Sequence, residues 1–416
     1  MAITIQDQPT AELVRPAFAP IQMLLTSDNY TEDGFKIICK VYFDPNGVDT
    51  LISTQQLFTR PNSAQAIFSL HDVIKSYVPD TYSVIDGDTT DLVENPLSNF
   101  RVTFEEFYDG ALKGGSAISN LFSSWYASPS YVEFAANDWH DWQVGTNDTD
   151  KQFLNAYGNQ AYKFTGYDSN DPWLKVSPTQ KYQISWINKY DAVATNFRVQ
   201  LTTLDSNFNV IANSIFLDLG TNDVGYFGLD VGFGQLASHS WSVAPVLTNV
   251  KYYTLRVLDE ETSDEATKGI FFEVDTCGTD YTPYELHWLN RKGGYDSMTF
   301  TGKSVESSTI NKSYAKSAQD KIVGTSIVYG TSKQRTRAFH TSLTKEYRVN
   351  SRLLSDFEMD GLEDLYSSPS VYWNSPSGFV SVNTEMSTFN RMKREDGKVY
   401  SVEVAIKLDN SEERQW

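Results

Sequence analysis

Residues 284–300 read YELHWLNRKGGYDSMTF and carry the clearest fold signal in the chain. Two strand-like runs flank a basic turn that contains two glycines, at residues 290–294. Glycine accepts the positive φ that a tight reversal requires, so the pattern predicts a β-hairpin in which Gly293 and Gly294 make the turn. We expect this hairpin to open a third β-unit of the chain.

The side chains of this hairpin fall into two groups. Tyr284, Trp288 and Tyr295 are its predicted packing residues, and Trp288 and Tyr295 would face each other as a cross-strand aromatic pair. Arg291 and Lys292 lie in the turn, where charged side chains usually reach solvent. We predict that both are exposed candidates for a contact with another subunit.

The same stretch admits a chemical interpretation. Arg291, Lys292 and the two glycines could cradle an anion, but such a cradle needs a backbone nest or a helix N-terminus, and a strand-like run follows here. His287 and Cys277 are close in sequence, which suggests a metal or catalytic corner. The five histidines are scattered, however, so metal-ligand spacing is absent. We predict that His287 is a structural residue.

Composition favours a β-rich protein. The chain has 416 residues, with 14% aromatic and 21% charged residues. Its length predicts two to four domains. The net charge of −19 is uneven, since residues 1–290 carry −21 and residues 291–416 carry +2. Nucleic acid is a poor partner for the acidic part, because phosphate binding depends on Lys and Arg. The imbalance fits either self-assembly or plain solubility.

Cysteine usage and hydropathy also restrict the class. The chain has two cysteines, Cys39 and Cys277, too few for a disulfide scaffold, and we expect both to be small buried hydrophobes. No apolar run approaches the ~18 residues that span a bilayer, so no membrane partner is expected. The first residues lack the features of a signal peptide, which favours synthesis in a cytosol.

Prolines, turns and strand-like runs divide the chain into four parts. Residues 1–34 contain three prolines and predict an extended N-terminal arm, packed along its own domain or reaching a neighbour. Residues 35–110 predict a small β domain, and residues 121–276 a β-sandwich or jelly-roll-like domain. Residues 281–416 predict a helix-flanked β domain. The fold class is therefore mainly β, with several antiparallel β-sandwiches and a short helix packed on a sheet in the C-terminal unit.

Three segments carry more specific expectations. Residues 110–120 (GALKGGSAISN) are small and polar and predict a linker or a long turn. Residues 302–321 are mostly Ser, Lys, Asn and Thr and predict a long loop. Residues 355–366 predict a helix, because Ser355 and Glu358 have the spacing of a capping box.

No strong catalytic, cofactor or metal motif occurs. Residues 232–237 (GFGQLA) resemble a dinucleotide string but do not open a helix, so a turn is predicted there. Glu105 and Glu106 adjoin on a predicted strand and would point to opposite faces, which excludes an acid–base pair. Residues 148–150 and 168–171 could offer oxygen ligands to Ca²⁺ without matching an EF-hand loop. We predict no catalytic residue, no cofactor and no metal.

An aromatic tract contains Trp125, Tyr126, Trp139 and Trp142. Flat aromatic rings can stack on sugar faces, which makes the tract a candidate carbohydrate-binding surface. Large aromatics more often build cores and subunit interfaces. We favour the second interpretation and count all four residues as interface candidates.

Three stretches together carry a family resemblance. The first is residues 35–42 with residues 67–78, the second is residues 277–296, and the third is residues 362–373 with the strands that lead to Trp416. In this order they resemble virion structural proteins of tailed bacteriophages, especially crAss-like phages and their relatives. The motifs span most of the chain, and none of their residues is catalytic.

The resemblance implies a role in the virion. It implies a non-enzymatic subunit of a neck ring, tail ring or baseplate, made in the host bacterial cytoplasm, that assembles with itself and with other neck or tail proteins. Residues 121–276 match least clearly, and the likeness of the C-terminal unit to tail-tube or tail-hub modules is fold analogy alone. Two alternatives remain, a receptor- or carbohydrate-binding tail module and a glycan-degrading enzyme.

Overall fold

The computed structural model confirms a mainly β protein. Strands make up 52% of it and helical residues 9%, with three helices in the part described. The residues that the structure describes are 3–10, 13–44, 48–61, 63–80, 93–95, 97–113, 116–144, 151–156, 167–169, 171–188, 197–216, 225–239, 241–259, 265–276, 281–316, 321–328, 336–385, 401–408 and 412–415.

The chain divides into two compact units, which are Met1–Cys277 with Trp288–Met298 and Asp360–Ser368, and Gly278–His287 with Thr299–Met359 and Pro369–Trp416. The finer division at residues 34, 110 and 276 stays a prediction.

The first unit contains nineteen of the described strands and two short helices. The strands are β1 (Thr4–Asp7), β2 (Arg15–Pro16), β3 (Gln22–Thr26), β4 (Lys36–Phe43), β5 (Thr50–Leu57), β6 (Gln65–Ser69), β7 (Val93–Asn95), β8 (Ser98–Tyr108), β9 (Ala111–Leu112), β10 (Ala117–Ile118), β11 (Phe122–Trp125), β12 (Gln143–Val144), β13 (Leu174–Val176), β14 (Gln183–Asn188), β15 (Phe197–Leu204), β16 (Val210–Phe216), β17 (Gly225–Asp230), β18 (Tyr252–Asp259) and β19 (Ile270–Val274). The helices are α1 (His71–Ile74) and α2 (Tyr131–Ala136), and 3₁₀ turns occur at Asp138–Trp142 and Leu236–Ser238.

These strands form four sheets within the described residues. Their orders are β1-β3-β6, β2-β11-β8-β4-β5 with β9 and β10 added to β8, β12-β14-β17-β7, and β13-β19-β18-β15-β16. Most pairs are antiparallel, as predicted, but β2 with β11, β12 with β14 and β13 with β19 are parallel. The sheets are therefore partly mixed rather than purely antiparallel.

Strand β8 shows why the first sheet forms. Its side chains alternate between buried and half-buried along most of its length, and Phe100, Val102 and Phe104 are fully buried. Ile37 and Cys39 of β4 join them in one hydrophobic core. Because neighbouring side chains on a strand point to opposite faces, this alternation fixes the register of the sheet against its core.

The predicted N-terminal arm, residues 1–34, was expected either to pack along its own domain or to reach a neighbour. Strand β1 pairs with β3, and β3 pairs with β6, both antiparallel. Strand β2 adds to β11. The arm therefore packs along its own unit through ordinary sheet hydrogen bonds.

The remaining strands are β20 (Tyr284–Leu289), β21 (Tyr295–Phe300), β22 (Val305–Lys316), β23 (Lys321–Val323), β24 (Ser326–Val328), β25 (Thr336–Asn350), β26 (Val371–Ser375), β27 (Gly378–Thr384), β28 (Glu403–Leu408) and β29 (Glu412–Gln415), with helix α3 (Asp356–Ser367). One sheet has the order β21-β20-β26-β27-β28-β25-β22, with β29 paired to β25, and β23 pairs with β24. The chain passes from one unit to the other within β20, within β21 and within α3.

The predicted capping box of α3 is confirmed. The backbone N–H of Glu358 donates to Ser355 Oγ at 3.3 Å, and the backbone N–H of Ser355 donates to Glu358 Oε2 at 3.0 Å. The guanidinium of Arg352 binds both oxygens of the same carboxylate. These bonds satisfy donors that a helix start would otherwise leave unpaired.

The loop prediction for residues 302–321 is wrong, and the linker alternative for residues 110–120 is wrong as well. Most of residues 302–321 is not a loop but the twelve-residue strand β22, which pairs with β25 along its whole length. Polar side chains on both faces hid it, since sequence patterns reveal a strand by alternating apolar residues. Residues 110–120 are not a free linker either, because β9 and β10 both pair with β8.

Candidate functional site

The turn at residues 290–294 has the geometry expected of a hairpin reversal. The backbone N–H of Asn290 donates to Gly294 O at 2.9 Å, and that of Gly293 donates to Asn290 O at 3.0 Å. Asn290 Oδ1 accepts from the backbone N–H groups of Lys292 and Gly294. Gly293 has φ +89°, so it supplies the left-handed residue of the predicted turn.

The second glycine serves close packing instead of a positive φ. A Cβ on Gly294 would lie 2.9 Å from the backbone of Leu154. A Cβ on Gly293 would lie 2.3 Å from Tyr126 O and 2.8 Å from the ring of Trp125. Both glycines thus allow the turn to approach other backbone closely.

The turn is hydrogen-bonded to the aromatic tract. The indole Nε1 of Trp125 donates to Lys292 O at 2.8 Å, and the backbone N–H of Ser128 donates to Arg291 O at 2.8 Å. Residues predicted separately as interface candidates therefore come together around one turn of the first unit.

Lys292 corrects the prediction that both turn cations are exposed. Its side chain is buried, and its Nζ donates to Gln152 Oε1 at 3.0 Å. The ammonium also lies 5.7 Å from the centre of the Trp142 ring, a cation–π distance. Burial lowers the pKa of Lys292 to about 8. Lys292 as placed is therefore a packing residue, because its charged end faces protein groups.

Arg291 is the exposed member of the turn. Its side chain is 50% exposed and forms an ion pair with Glu133 at 3.3 Å. Glu133 is the third residue of α2, and its side chain also completes a capping box with Ser130. The pair ties the turn to the start of α2 while leaving half of the guanidinium open to solvent.

The aromatic candidates lie mostly inside the unit. Trp125, Trp139 and Trp142 are 3%, 1% and 2% exposed and share one hydrophobic cluster with Leu154. Tyr126 is half-buried and packs edge-on against Phe18 at 4.7 Å. The three tryptophans are core residues, and they present no open ring face in this structure. The favoured interpretation assigned the tract to a core and to a subunit interface, and the core assignment agrees with these positions.

A buried carboxylate, Asp296, anchors the start of β21. Its Oδ1 accepts from Tyr182 Oη and Asn155 Nδ2, both at 3.2 Å. Its Oδ2 accepts from Asn290 Nδ2 at 2.7 Å and from the backbone N–H of Ala156 at 3.0 Å. Burial raises the pKa of Asp296, and these four donors oppose that rise. Each oxygen is therefore engaged in holding the hairpin to the first unit.

A second buried carboxylate lies near the turn. Asp364 is on α3, and the backbone N–H of Arg291 points to its Oδ2 at 3.5 Å. Burial raises the pKa of Asp364 to about 6, and the Arg291 charge opposes this rise. Such a shifted carboxyl can mark a functional site, but shifted groups also occur in structural networks.

The geometry of the turn is that of a structural clamp. The carboxylates and Lys292 bind amides, backbone groups and aromatic rings of the same unit, so no nucleophile–base pair is formed among these side chains. Asp296 accepts hydrogen bonds both from residues 155–156 and from Asn290, and these bonds fix the orientation of the turn.

Other predicted positions are structural as well. His287 Nε2 lies 2.6 Å from Glu285 Oε1, and that carboxylate also accepts from Asn374 Nδ2. His287 is buried, and its ring contacts Phe379 edge-on. This environment agrees with the predicted structural histidine.

The two adjacent glutamates do point to opposite faces. Glu105 pairs with Lys40 at 2.8 Å on the solvent side. Glu106 is buried and accepts from Ser27 Oγ and Asn29 Nδ2.

The possible Ca²⁺ ligands and the two cysteines can be compared with the structure only where their residues are described. Asp171 Oδ2 accepts from the backbone N–H of Asp168, which is an ordinary turn contact. Residues 148–150, Asn170 of the second stretch, and Cys277 lie outside the described residues. Cys39 is buried as expected. Within the described part of the chain, no group of three or more His, Cys, Asp or Glu side chains could hold a metal ion.

A long, exposed antiparallel ribbon lies at one edge of the large sheet, and β28 and β29 pair with the inner side of its second strand. It consists of β22 and β25, paired from Val305 with Arg348 to Lys316 with Thr336. Every residue of β22 is exposed. Strand β22 is the last in its sheet, so its outer edge pairs with no other described strand. Its backbone N–H and C=O groups on that edge are open to another chain.

Sequence reasoning missed the ribbon and most partners in the clamp. Asp296 lies within the quoted hairpin stretch, but no role was predicted for it, and Asn155, Gln152 and Asp364 had no local signal. They lie between 70 and 145 residues from the turn, so no short motif could reveal them. For the ribbon, the usable signal was the run of Ser, Thr and Lys without Gly or Pro in residues 303–323.

No protein-family model matches the chain, and no curated protein matches its sequence. No helix in the described residues combines the length and the apolar composition needed to cross a membrane.

Proposed function

We propose that this chain is a non-enzymatic structural subunit of a tailed-phage virion, which assembles with itself into a neck ring, tail ring or baseplate. In this role it contacts neighbouring neck or tail proteins, uses no cofactor and is made in the host cytoplasm. The sequence resemblance motivates the phage assignment, and the ribbon supports the assembly role.

The ribbon is the observation that carries the proposal. Strand β22 is the edge of its sheet, and an open sheet edge risks unwanted pairing with other chains. Natural proteins usually keep such edges short or covered. A twelve-residue edge strand, exposed throughout, fits a protein whose ribbon is covered after assembly.

The buried clamp around the 290–294 turn agrees with a structural role. Its charged groups are used to hold a hairpin in the first unit, through the four hydrogen bonds of Asp296 and the Lys292 contact to Gln152. A subunit that carries load between neighbours needs its strands fixed to its core. Such bonds provide that attachment without providing a reactive group.

The carbohydrate-binding alternative loses its motivating surface. Stacking on a sugar requires an open aromatic face. Trp125, Trp139 and Trp142 are all at most 3% exposed, and only Tyr126 of the tract is partly open. No other observation favours this alternative, so we do not propose it.

Mass spectrometry of gradient-purified phage particles tests the proposal. We expect the chain to co-purify with particles in several copies per particle, and the purified chain to leave polysaccharides unchanged. The proposal fails if the chain occurs only in the lysate outside particles, or if it degrades a glycan with multiple turnovers.

A further inference from the structure

The part of the chain that contains the ribbon has a net charge opposite in sign to that of the rest of the chain. Residues 301–350 contain nine Lys and Arg against three Asp and Glu, a net of +6. The other residues therefore carry a net charge of −25, and the two parts together give the total of −19. Two copies of such a chain repel each other through their acidic parts. An exposed basic segment offers an attractive approach between them.

The two faces of β22 differ in character. Because alternate residues share a face, Ile310, Lys312, Tyr314 and Lys316 lie along one side of the strand. Ile310 and Tyr314 are 57% and 60% exposed. The opposite side carries small or neutral residues, namely Thr309, Asn311, Ser313 and Ala315. One face thus combines apolar contact area with positive charge, a combination suited to a protein interface.

The cations of that face are available. On the ribbon, Lys345 pairs with Glu306, and Arg348 pairs with Glu346. Lys312 and Lys316 are exposed and form no ion pair with any described residue. They can therefore bind carboxylates of another molecule without breaking a bond of their own chain.

Lysines on an edge strand can also have the simpler role of preventing unwanted pairing. Protection is served by charge together with shortness, bulges or proline. Strand β22 is twelve residues long and contains no proline, its pairing with β25 has one register irregularity between Ser313 and Tyr314, and its cationic face also exposes Ile310 and Tyr314. Exposed apolar residues between the lysines weaken protection and strengthen contact, so contact is the better explanation.

We infer that the Ile310–Lys312–Tyr314–Lys316 face of the ribbon docks on the acidic first unit of a second copy of this chain. The inference rests on the proposed function, since it names the partner in that assembly. The contact joins different surfaces on the two copies, so repetition closes a ring or continues as a filament. The first unit offers exposed carboxylates, including Asp28, Glu32 and Asp33, that form no ion pair with a described residue.

Charge and surface chemistry favour a protein partner over nucleic acid. A net charge of −19 opposes the approach of a polyphosphate at long range. Phosphate contacts would also leave the two exposed apolar side chains without a partner. A carboxylate-bearing protein surface satisfies both kinds of group.

Self-association of the full chain tests the inference by sedimentation velocity over a concentration series. We expect reversible oligomers at 0.05 M NaCl and an affinity at least about tenfold weaker at 0.5 M, because salt screens exposed charges. The double variant Lys312→Gln/Lys316→Gln is expected to weaken association about tenfold, the effect of two or so lost surface ion pairs. Circular dichroism should show both preparations folded.

A matched variant separates the face from the overall charge. Asn311→Glu/Ser313→Glu changes the net charge by the same two units on the opposite face of β22 and should associate nearly as the wild type does. Equal weakening by the two double variants would overturn the assignment of the face. A chain that stays monomeric at every concentration and salt would overturn the inference itself.

Carbodiimide cross-linking identifies the partner surface. In a mixture of ¹⁵N-labelled and unlabelled chains, we expect mixed-isotope links from Lys312 or Lys316 to Asp or Glu of the first unit. Links confined to single copies, or displacement of association by duplex DNA, would contradict the inference. If particles contain the chain in a ring but the lysine variants still associate normally, only this inference fails. If association depends on the ribbon but the chain is absent from particles, only the virion role fails.

Discussion

Replacing Gly293 by alanine tests whether the 290–294 turn is a clamp. Gly293 has φ +89°, where an L-residue costs about 1–2 kcal/mol more than glycine. Its new Cβ would also lie 2.3 Å from Tyr126 O, far closer than a carbon and a carbonyl oxygen pack without bonding. The turn must therefore move away from the aromatic tract.

That movement breaks two specific hydrogen bonds. They join Trp125 Nε1 to Lys292 O and the Ser128 N–H to Arg291 O, each at 2.8 Å. Each such bond contributes about 1 kcal/mol. Added to the φ cost, the loss of these bonds means that Gly293→Ala is expected to destabilise the first unit by about 3–4 kcal/mol.

Gly110 provides the matched control. It has φ +72°, and nothing lies within 4 Å of the position of its Cβ. Gly110→Ala should therefore cost only the conformational part, about 1–2 kcal/mol. The difference between the two variants measures the packing of the turn against Tyr126.

Native-state hydrogen exchange of the Ser128 amide is the assay, since it reports opening at the clamp itself. We expect the free energy of opening at Ser128 to fall by at least about 2 kcal/mol more in Gly293→Ala than in Gly110→Ala. Similar values for the two variants would refute the clamp, because the turn would then tolerate a side chain facing Tyr126.

Three further expectations follow from titratable groups and the helix cap. The folded-state pKa of Asp364 is raised to about 6, so the native state binds more protons than the unfolded state between roughly pH 4 and 6, and stability falls as pH rises through that window. Asp364→Asn should remove this slope in urea titrations and raise stability at pH 7.5 by about 1–3 kcal/mol; an unchanged slope would contradict it. The pKa of Lys292 is lowered to about 8, so the wild type should gain stability from pH 8 to 10, and Lys292→Met should not; a gain in both would assign the effect elsewhere. Ser355→Ala removes the bond to the Glu358 N–H and should cost about 1 kcal/mol by urea denaturation, whereas Ser355→Thr should cost less.

Local sequence patterns predicted the elements whose stabilising contacts join residues that are close together in the sequence. Strands β20 and β21 flank the predicted glycine turn. In these segments the alternation of side chains agrees with the packing. The helix at residues 355–366 was found for a similar reason, since its cap is formed by residues three positions apart.

The misses have a different physical origin. Strand β17 (Gly225–Asp230) was overlooked because glycine weakens the strand signal, yet Gly228 lies where a Cβ would be 2.2 Å from Gln183 Nε2. Lys292 was predicted to be exposed because lysine is rarely buried. Its burial depends on Gln152 and Trp142, about 140 and 150 residues away, which no local pattern can report.

Strand β22 was missed because sequence patterns for strands assume that one face is buried within the same chain. Strand β22 has no apolar face for a core of its own chain, so composition predicted a loop. Its order comes from pairing with β25, and under the proposed function its exposed face is covered by another copy. Sequence rules calibrated on buried strands miss such a strand for that reason.

Cryo-electron microscopy of the purified phage particle tests the proposed function most directly. We predict repeated copies of this chain around a symmetric neck, tail or baseplate ring, with the outer edge and Lys312–Lys316 face of β22 against the first unit of the adjacent copy. Particles that lack density for this chain would contradict the structural role. A ring in which β22 faces only solvent would contradict the assembly contact proposed for it.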